Sequence, residues 1–195
     1  MNKPTTGPTP EVELFRVFSW SRKAKPDEPG GALYAPRGRQ GSGRHDNPDL
    51  YTAFYCAREP VSCVAESLQF FRSQRLTAID LIRSSNRVLA LVSLKLDPRL
   101  VDLDAPSQLV EREIRPSQVA TTRRRTTQRI AADLYREGVG GFLWWSTLEA
   151  SWINCTLFWE RVTHQISVEQ KPQELRLDNP TVVAAAQRLG VQLRH

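Results

Sequence analysis

Three side chains that follow one another closely in the first half of the chain could form a functional site: Arg44, Tyr55 and Glu66. Arg44 follows the segment GSG, whose glycines let the backbone bend sharply, and its guanidinium can donate paired hydrogen bonds to phosphate oxygens. Tyr55 adds an aromatic ring in a short apolar segment, and Glu66 adds a carboxylate on the flank of an amphipathic segment. Each residue also has a purely structural interpretation: a solvated loop arginine, a core tyrosine and the polar face of a helix.

Two further polar residues could belong to such a site. Ser146 ends the apolar segment GGFLWW, where it could line a site or be an ordinary strand-end hydroxyl, and His45 could contact a ligand or lie solvated beside Arg44. The sequence lacks the GxSxG nucleophile elbow and the phosphate-binding motifs GxxxxGK(S/T) and GxGxxG. Its histidines have no metal-like spacing, so no metal site is predicted.

Composition indicates one folded domain, since 195 residues with 40% hydrophobic and 25% charged residues are ordinary for a globular chain. The net charge of +6 suits a nucleic acid, a nucleotide or an acidic protein partner. No apolar run approaches the ~18 residues that a membrane span needs, and the N-terminal segment lacks the apolar region of a signal peptide. Three cysteines without CxxC spacing argue against disulfides. We therefore predict a cytoplasmic protein without membrane contact.

The most basic segment is TTRRRTTQR, residues 121–129. It could bind nucleic acid, but no aromatic residues are interleaved with its arginines. We therefore predict a solvated helix face, with a protein or phosphate contact as the next alternative, and no direct binding of nucleic acid.

Strand-like and helix-like segments are mixed without regular βαβ alternation, which favours the α+β class. The predicted strands are residues 13–20, 50–57, 87–96, 140–146 and 155–162. The predicted helices are residues 60–75, a long basic helix from Ser117 to Gly138, and a final helix between Asn179 and Gly190. We predict a disordered lead-in over residues 1–12, a main domain over 13–165, and a C-terminal extension with a terminal helix over 166–195.

Taken together and in order, these segments resemble the RES-domain family, which is named for its Arg, Glu and Ser. The resemblance runs from about Leu14 to Val162 and is carried by GSGRHDNPD, the aromatic strand after it, PVSCVAESLQFFR and GGFLWWS…NCTLFWERV. By position, the family's residues correspond to Arg44, Glu66 and Ser146, with Tyr55 as the aromatic residue between the first two. Asn154 matches a polar position before the last strand, Arg16 in LFRVF resembles another frequent arginine, and His45 stands where an aromatic is usual.

The resemblance implies a fold and an activity. The fold would be ADP-ribosyltransferase-like, with a split mixed β-sheet core flanked by helices and a cleft for NAD over residues 13–165. Many such proteins are toxins that consume NAD+ by hydrolysis or phosphorolysis and pair with an Xre-type antitoxin. This chain would then be an NAD+ glycohydrolase or NAD+ phosphorylase that needs no cofactor, with NAD+ as substrate, water or inorganic phosphate as acceptor, and a homodimer or an antitoxin complex as its assembly.

The same resemblance assigns roles to the site residues. Glu66 would stabilise the positive charge that develops on the ribose when the nicotinamide bond breaks. Arg44 would bind the pyrophosphate and Tyr55 would stack on the nicotinamide, so these three would be the catalytic residues. The remaining substrate-binding residues would be Ser146, Asn154, Arg16 and His45.

Two other functions stay open at this point. The chain could be a protein ADP-ribosyltransferase, which would consume NAD+ only in the presence of a protein target. It could also be a non-enzymatic module that binds nucleic acid or protein through residues 121–129. Incubation with NAD+ alone separates these alternatives from the NAD+-consuming enzyme.

Overall fold

The computed structural model of the protein describes residues 12–96 and 100–194, so most of the predicted lead-in lies outside the described residues. The strands are β1 (Val12–Trp20), β2 (Ala53–Ala57), β3 (Arg75–Thr77), β4 (Ile82–Ser84), β5 (Arg87–Leu96), β6 (Leu100–Asp102), β7 (Gly141–Trp145), β8 (Ile153–Phe158), β9 (Ile166–Val168), β10 (Gln173–Glu174) and β11 (Gln192–Arg194). The helices are α1 (Pro60–Leu68), α2 (Pro106–Glu111), α3 (Pro116–Val119), α4 (Arg124–Arg136), α5 (Trp159–Val162) and α6 (Pro180–Leu189).

Most strands join one mixed, nine-stranded sheet with the order β10–β5–β1–β2–β8–β7–β6, in which β4 and β9 also pair with β5. Among the described strands of this sheet, β6 and β7 run parallel and the other neighbours run antiparallel. A second, two-stranded sheet pairs β3 with β11. The predicted α+β class, with a mixed sheet flanked by helices, is confirmed.

The sheet splits between β1 and β2. On one side, β1 pairs with β5 along its whole length, from Val12↔Leu96 to Trp20↔Val88. On the other side, β2 pairs with β8 along its whole length, from Ala53↔Phe158 to Ala57↔Asn154. Between the described residues of β1 and β2, the register contains the single pair Phe15↔Ala57. Beyond that pair the two strands diverge and leave an opening in the sheet.

Helix α1 closes one side of this opening and satisfies the backbone groups that β1 exposes there. The Cys63 thiol accepts a hydrogen bond from the Val17 amide (3.1 Å) and donates one to the Phe15 carbonyl (3.2 Å). Burial raises the pKa of the Cys63 thiol to about 12, so the sulfur keeps the proton that it donates. A helix side chain therefore replaces the missing ladder partner of β1, as buried backbone groups require.

The C-terminal residues are part of the same architecture. Strands β9 and β10 pair with β5, and α6 shares an apolar cluster with α1 through buried residues such as Val64 and Ala186. The Asn179 side chain accepts a hydrogen bond from the Thr181 amide (2.9 Å) at the start of α6, and Gly190 ends the helix with a left-handed φ of 68°. The predicted final helix is confirmed with both of its end signals.

Three predicted elements differ from the structure because tertiary contacts override local pattern. The helix expected over 60–75 ends at Leu68, and Ser73 then takes a left-handed φ of 60° before β3. The basic helix expected from Ser117 is interrupted at 120–123, between α3 and α4. The strand expected over 155–162 turns at Phe158 into the short helix α5.

None of the described helices is both long enough and apolar enough to cross a membrane.

The two hydrogen bonds between the Cys63 thiol and β1, which form a bridge at the split, yield a stability prediction. Cys63→Ala leaves the Val17 amide and the Phe15 carbonyl without their partner, in addition to removing apolar volume. We expect it to lower the free energy of unfolding, measured by urea titration, by about 1 kcal/mol more than Cys155→Ala does. Cys155 is the matched control, since it is a buried free thiol with no hydrogen bond from its sulfur in the described residues. Equal losses in the two variants would show that the bridge contributes nothing.

Candidate functional site

A cavity of about 310 Å³ lies at the split, bounded by β1, β2, α1, the ends of β7 and β8 and the start of α4. Its wall contains five residues whose chemistry bears on function: Arg44, Tyr55, Glu66, Arg124 and Asn154. The cavity therefore brings together residues that are far apart in the chain. It exists because β1 and β2 diverge at this point.

The Glu66 carboxylate is held at the cavity wall by a set of donors. Its Oε1 accepts hydrogen bonds from the Ser146 hydroxyl (2.6 Å) and the Asn154 amide (2.8 Å). Its Oε2 accepts a longer one from the Gln69 amide (3.2 Å). Because Ser146 and Asn154 are each only 2% exposed, these donors fix the carboxylate rather than leave it free to rotate.

The supporting donors are themselves positioned by secondary structure. The Asn154 side-chain oxygen accepts a hydrogen bond from the Ser62 hydroxyl (3.0 Å), and Ser62 lies one helical turn before Glu66 in α1. Ser146 follows directly after β7, and its hydroxyl accepts from the Leu148 amide (3.0 Å). Helix α1 and the paired strands β7 and β8 thus converge on one carboxylate.

The guanidinium of Arg44 is held in place by backbone carbonyls from a distant part of the chain. Its Nη1 donates to the carbonyls of Thr121 (2.6 Å), in the break between α3 and α4, and Val119 (3.3 Å), at the end of α3. The guanidinium carbon lies 5.1 Å from the centre of the Trp144 ring. Burial, followed by the nearby positive charge of Arg124, lowers the pKa of Arg44. Within the described part of the chain, its Nε and Nη2 donate to no protein group and are available to a ligand.

Tyr55 presents its ring to the cavity while its hydroxyl is bonded inside the protein. The hydroxyl donates to Asp46 Oδ1 (2.7 Å) and accepts from the His45 amide (3.0 Å). Burial raises the pKa of Tyr55 well above its usual value, which keeps the hydroxyl protonated. The ring, not the hydroxyl, is therefore the part of Tyr55 that can meet a ligand.

Asp46 joins the Arg44 loop to Tyr55. Its Oδ2 accepts hydrogen bonds from the amides of Gly41 (2.8 Å) and Gly43 (2.7 Å), while its Oδ1 accepts from Tyr55. A Cβ atom at Gly43 would lie 2.5 Å from Asp46 Oδ1, so only glycine allows this approach. The bend before Arg44 is thus specified by a carboxylate as well as by its glycines.

Three residues that the sequence assigns to the substrate lie outside the cavity wall: Ser146, His45 and Arg16. Ser146 reaches the site through its hydrogen bond to Glu66. His45 is 2% exposed, its Nδ1 lies 2.8 Å from Thr156 Oγ1, and it packs edge-on against Trp144. Burial holds the pKa of His45 well below its usual value, so its ring is neutral. His45 and Thr156 support the cavity wall from behind. The wall residue Trp144 packs against His45, and its indole donates to Thr156 Oγ1 (3.1 Å).

Arg16 also lies away from the cavity. It donates to the carbonyls of Ala32 and Tyr34 (2.8 Å for Tyr34), and its guanidinium carbon lies 4.0 Å from the centre of the Phe54 ring. Burial lowers the pKa of Arg16 to about 10. In this structure Arg16 fixes the irregular segment around residues 32–34 to the sheet.

Sequence reasoning did not assign a role to Asp46, and it named Arg124 only as part of the basic run over residues 121–129. Asp46 had a usable signal, since it directly follows Arg44 and His45 in a turn-like segment, RHDNP. For the basic run that contains Arg124, the sequence predicts a solvated helix face first and a protein or phosphate contact second. The structure breaks this run at 120–123 and places Arg124 in the cavity wall. Over residues 12–96 and 100–194, no group of three or more His, Cys, Asp or Glu side chains could hold a metal ion.

Comparison with known proteins relates the whole described chain to one family. The family model described as RES domain matches residues 13–194. No curated protein matches the chain. A solved structure with a similar fold is that of the M. tuberculosis MbcT–MbcA toxin–antitoxin complex, at 16% sequence identity, with 92% of this chain and 88% of that chain covered and a TM-score of 0.64. At this identity the likeness concerns the fold.

The network around Asp46 can be tested by stability. Asp46→Ala removes three hydrogen bonds and leaves the Gly41 and Gly43 amides without an acceptor. We expect it to lower the free energy of unfolding by about 2–4 kcal/mol in urea titrations. Asp49→Ala, an exposed carboxylate of the same loop, is the control and should change it by less than about 0.5 kcal/mol. A small effect of Asp46→Ala would mean that Asp46 does not hold the loop.

Proposed function

The chain belongs to the RES-domain family, and from that membership we propose that it is a toxin-like enzyme that consumes NAD+ by breaking the bond between nicotinamide and ribose. The observation that carries the proposal is a fixed carboxylate, Glu66, in the wall of a cavity that also contains an anchored arginine and an aromatic ring. Each of these groups suits one part of the NAD+ molecule.

Glu66 suits the reacting centre. When the bond between the ribose C1′ and the nicotinamide nitrogen breaks, its electron pair leaves with the nicotinamide and positive charge develops on the ribose. A carboxylate held in place by Ser146 and Asn154 stabilises that charge without having to reorganise. The nicotinamide leaves as a neutral molecule, so the reaction needs no general acid at the leaving group.

Arg44 and Tyr55 suit the rest of the substrate. The free donors of the Arg44 guanidinium can bind oxygens of the pyrophosphate, and its anchors at Val119 and Thr121 hold those donors in place. The ring of Tyr55 offers a flat apolar surface against which nicotinamide can stack. An acceptor oxygen then forms the bond to C1′. A water oxygen loses a proton to solvent as it does so, whereas an anionic oxygen of inorganic phosphate has no proton to lose.

The experiment that tests the proposal is incubation of the purified protein with NAD+, in buffers with and without inorganic phosphate, followed by product identification. Release of free nicotinamide without a second protein supports the proposal, and dependence on phosphate distinguishes phosphorolysis from hydrolysis. Consumption that requires an added protein target would instead indicate a protein ADP-ribosyltransferase. No consumption under either condition would contradict the proposal.

The substitution Glu66→Gln gives the most direct test of the proposed mechanism. In Glu66→Gln the side-chain oxygen can still accept hydrogen bonds from Ser146 and Asn154, so the fold is retained while the charge is lost. We expect kcat/KM for NAD+ to fall by about 100-fold or more, because the developing charge is no longer stabilised. Glu59→Gln is the matched control: Glu59 directly precedes the same helix and accepts from the Ile153 amide, a bond that the amide can keep. Wild-type turnover by folded Glu66→Gln would remove Glu66 from the mechanism.

We further propose that a partner protein of the Xre type holds the enzyme inactive by covering the cavity. An enzyme that depletes NAD+ must be controlled in the cell that makes it, and the similar M. tuberculosis structure is described as a toxin–antitoxin complex. Exposed arginines could steer an acidic partner to the cavity, among them Arg39 and also Arg125, which directly follows Arg124 of the cavity wall. Arg37 is less available to an acidic partner, since its Nη1 already lies 3.6 Å from Glu160 Oε1.

Expression in bacteria tests this regulation. The protein expressed alone should arrest growth as cellular NAD+ falls, and coexpression with the product of its neighbouring gene should relieve the arrest. Glu66→Gln expressed alone is the control and should be harmless, because it keeps the surface and loses the activity. Normal growth and stable NAD+ in cells that contain folded wild-type protein would contradict the toxin assignment.

A further inference from the structure

The start of helix α4 carries a concentration of positive charge that stability does not explain. Arg123, Arg124 and Arg125 are consecutive and exposed, and the first turn of α4 contains no acidic residue. The N-terminal end of a helix is itself positive, so acidic residues are favoured there and arginines are disfavoured. Departures of this kind from local preference are typical of functional sites.

Arg124 differs from its two neighbours because it lies in the wall of the cavity that contains Arg44 and Glu66. Across the described residues, none of the three arginines forms an ion pair with a carboxylate. Arg124 is close enough to Arg44 to act on it, since its positive charge follows burial among the causes that lower the pKa of Arg44. The Glu66 carboxylate lines the same cavity but forms no ion pair with either arginine in the described structure. Two positive charges that face one cavity without such a pair favour an anion beside them.

The spatial relation between the two arginines is fixed by the protein. The Arg44 guanidinium donates to the carbonyls of Val119 and Thr121, in the segment that leads into α4. From α4, the Thr127 hydroxyl donates to the Arg44 carbonyl, and the Gln128 amide donates to the Gly43 carbonyl (3.0 Å). The loop of Arg44 and the helix of Arg124 are therefore bound to each other in both directions, which organises the pair before a ligand arrives.

We propose that Arg124 is a second phosphate-binding residue, which together with Arg44 selects ligands that carry a pyrophosphate over nucleosides and monophosphates. This inference deepens the proposed function and rests on it for the identity of the substrate. Two guanidinium groups supply donors for two adjacent phosphate groups, whereas a single phosphate engages only part of the pair. The selected class is then nucleoside diphosphates and dinucleotides.

Binding of ADP, AMP and adenosine, measured by titration calorimetry, tests this assignment without requiring catalysis. ADP should bind the wild-type protein more tightly than AMP, and AMP more tightly than adenosine. Arg124→Gln should weaken ADP binding by about 10-fold or more, as expected for loss of charge-assisted hydrogen bonds, and should leave adenosine binding unchanged. Arg125→Gln makes the same charge change one residue further along, outside the cavity wall, and should weaken ADP binding by less than about 3-fold.

Turnover provides an independent measurement. Because the pyrophosphate is remote from the bond that breaks, Arg124→Gln should raise the KM for NAD+ with little change in kcat, and Arg124→Lys should restore only part of the affinity. Equal effects of Arg124→Gln and Arg125→Gln would mean a diffuse electrostatic field and would overturn the inference, as would an absence of ADP binding. If ADP binds in an Arg124-dependent manner but NAD+ is not consumed, the phosphate assignment stands and the proposed function fails.

Discussion

The separation of β1 from β2, bridged by the Cys63 thiol, is the constraint on which the rest of the structure depends. Two strands in the interior of a sheet normally satisfy each other's backbone groups, and here the described register contains one such pair. Cys63 supplies the missing acceptor and donor to Val17 and Phe15, so the sheet can open without leaving those groups unsatisfied. The same contact fixes α1 over the opening.

That placement of α1 determines where the carboxylate lies. Glu66 is three residues after Cys63, so the two side chains share one face of the helix, and both line the cavity. Ser62, on the preceding turn, orients Asn154, which in turn donates to Glu66. One short helix therefore closes the split, delivers the carboxylate and helps to orient a group that holds it.

The charges around the cavity are separated by role. The negative charge of Glu66 is surrounded by donors from the strands, whereas the positive charge of Arg44 is anchored on carbonyls of the 119–121 segment. In the described structure, neither Arg44 nor Arg124 forms an ion pair with Glu66. Such an ion pair would neutralise the charged groups that a charged substrate needs. Such fixed, incompletely neutralised charge is typical of preorganised binding sites.

The sequence by itself determined the elements whose signals are local. Strand β5 has the bounds expected from its apolar run, and α6 has the asparagine and glycine that mark its two ends. The order and spacing of Arg44, Tyr55, Glu66 and Ser146 were sufficient to indicate the family, which the match over residues 13–194 confirms. Their roles in catalysis remain predictions.

Only the tertiary structure decided which of the candidate residues meet. Arg44 and its anchor at Thr121 are separated by 77 residues, and no local pattern reports a contact at that distance in sequence. The break before α4 turns Arg124 toward the cavity, whereas the apolar surroundings of Arg16 and His45 draw both away from it. Hydrophobic periodicity reports which face of an element is buried, but the partner against which it is buried depends on how the whole sheet closes around its split.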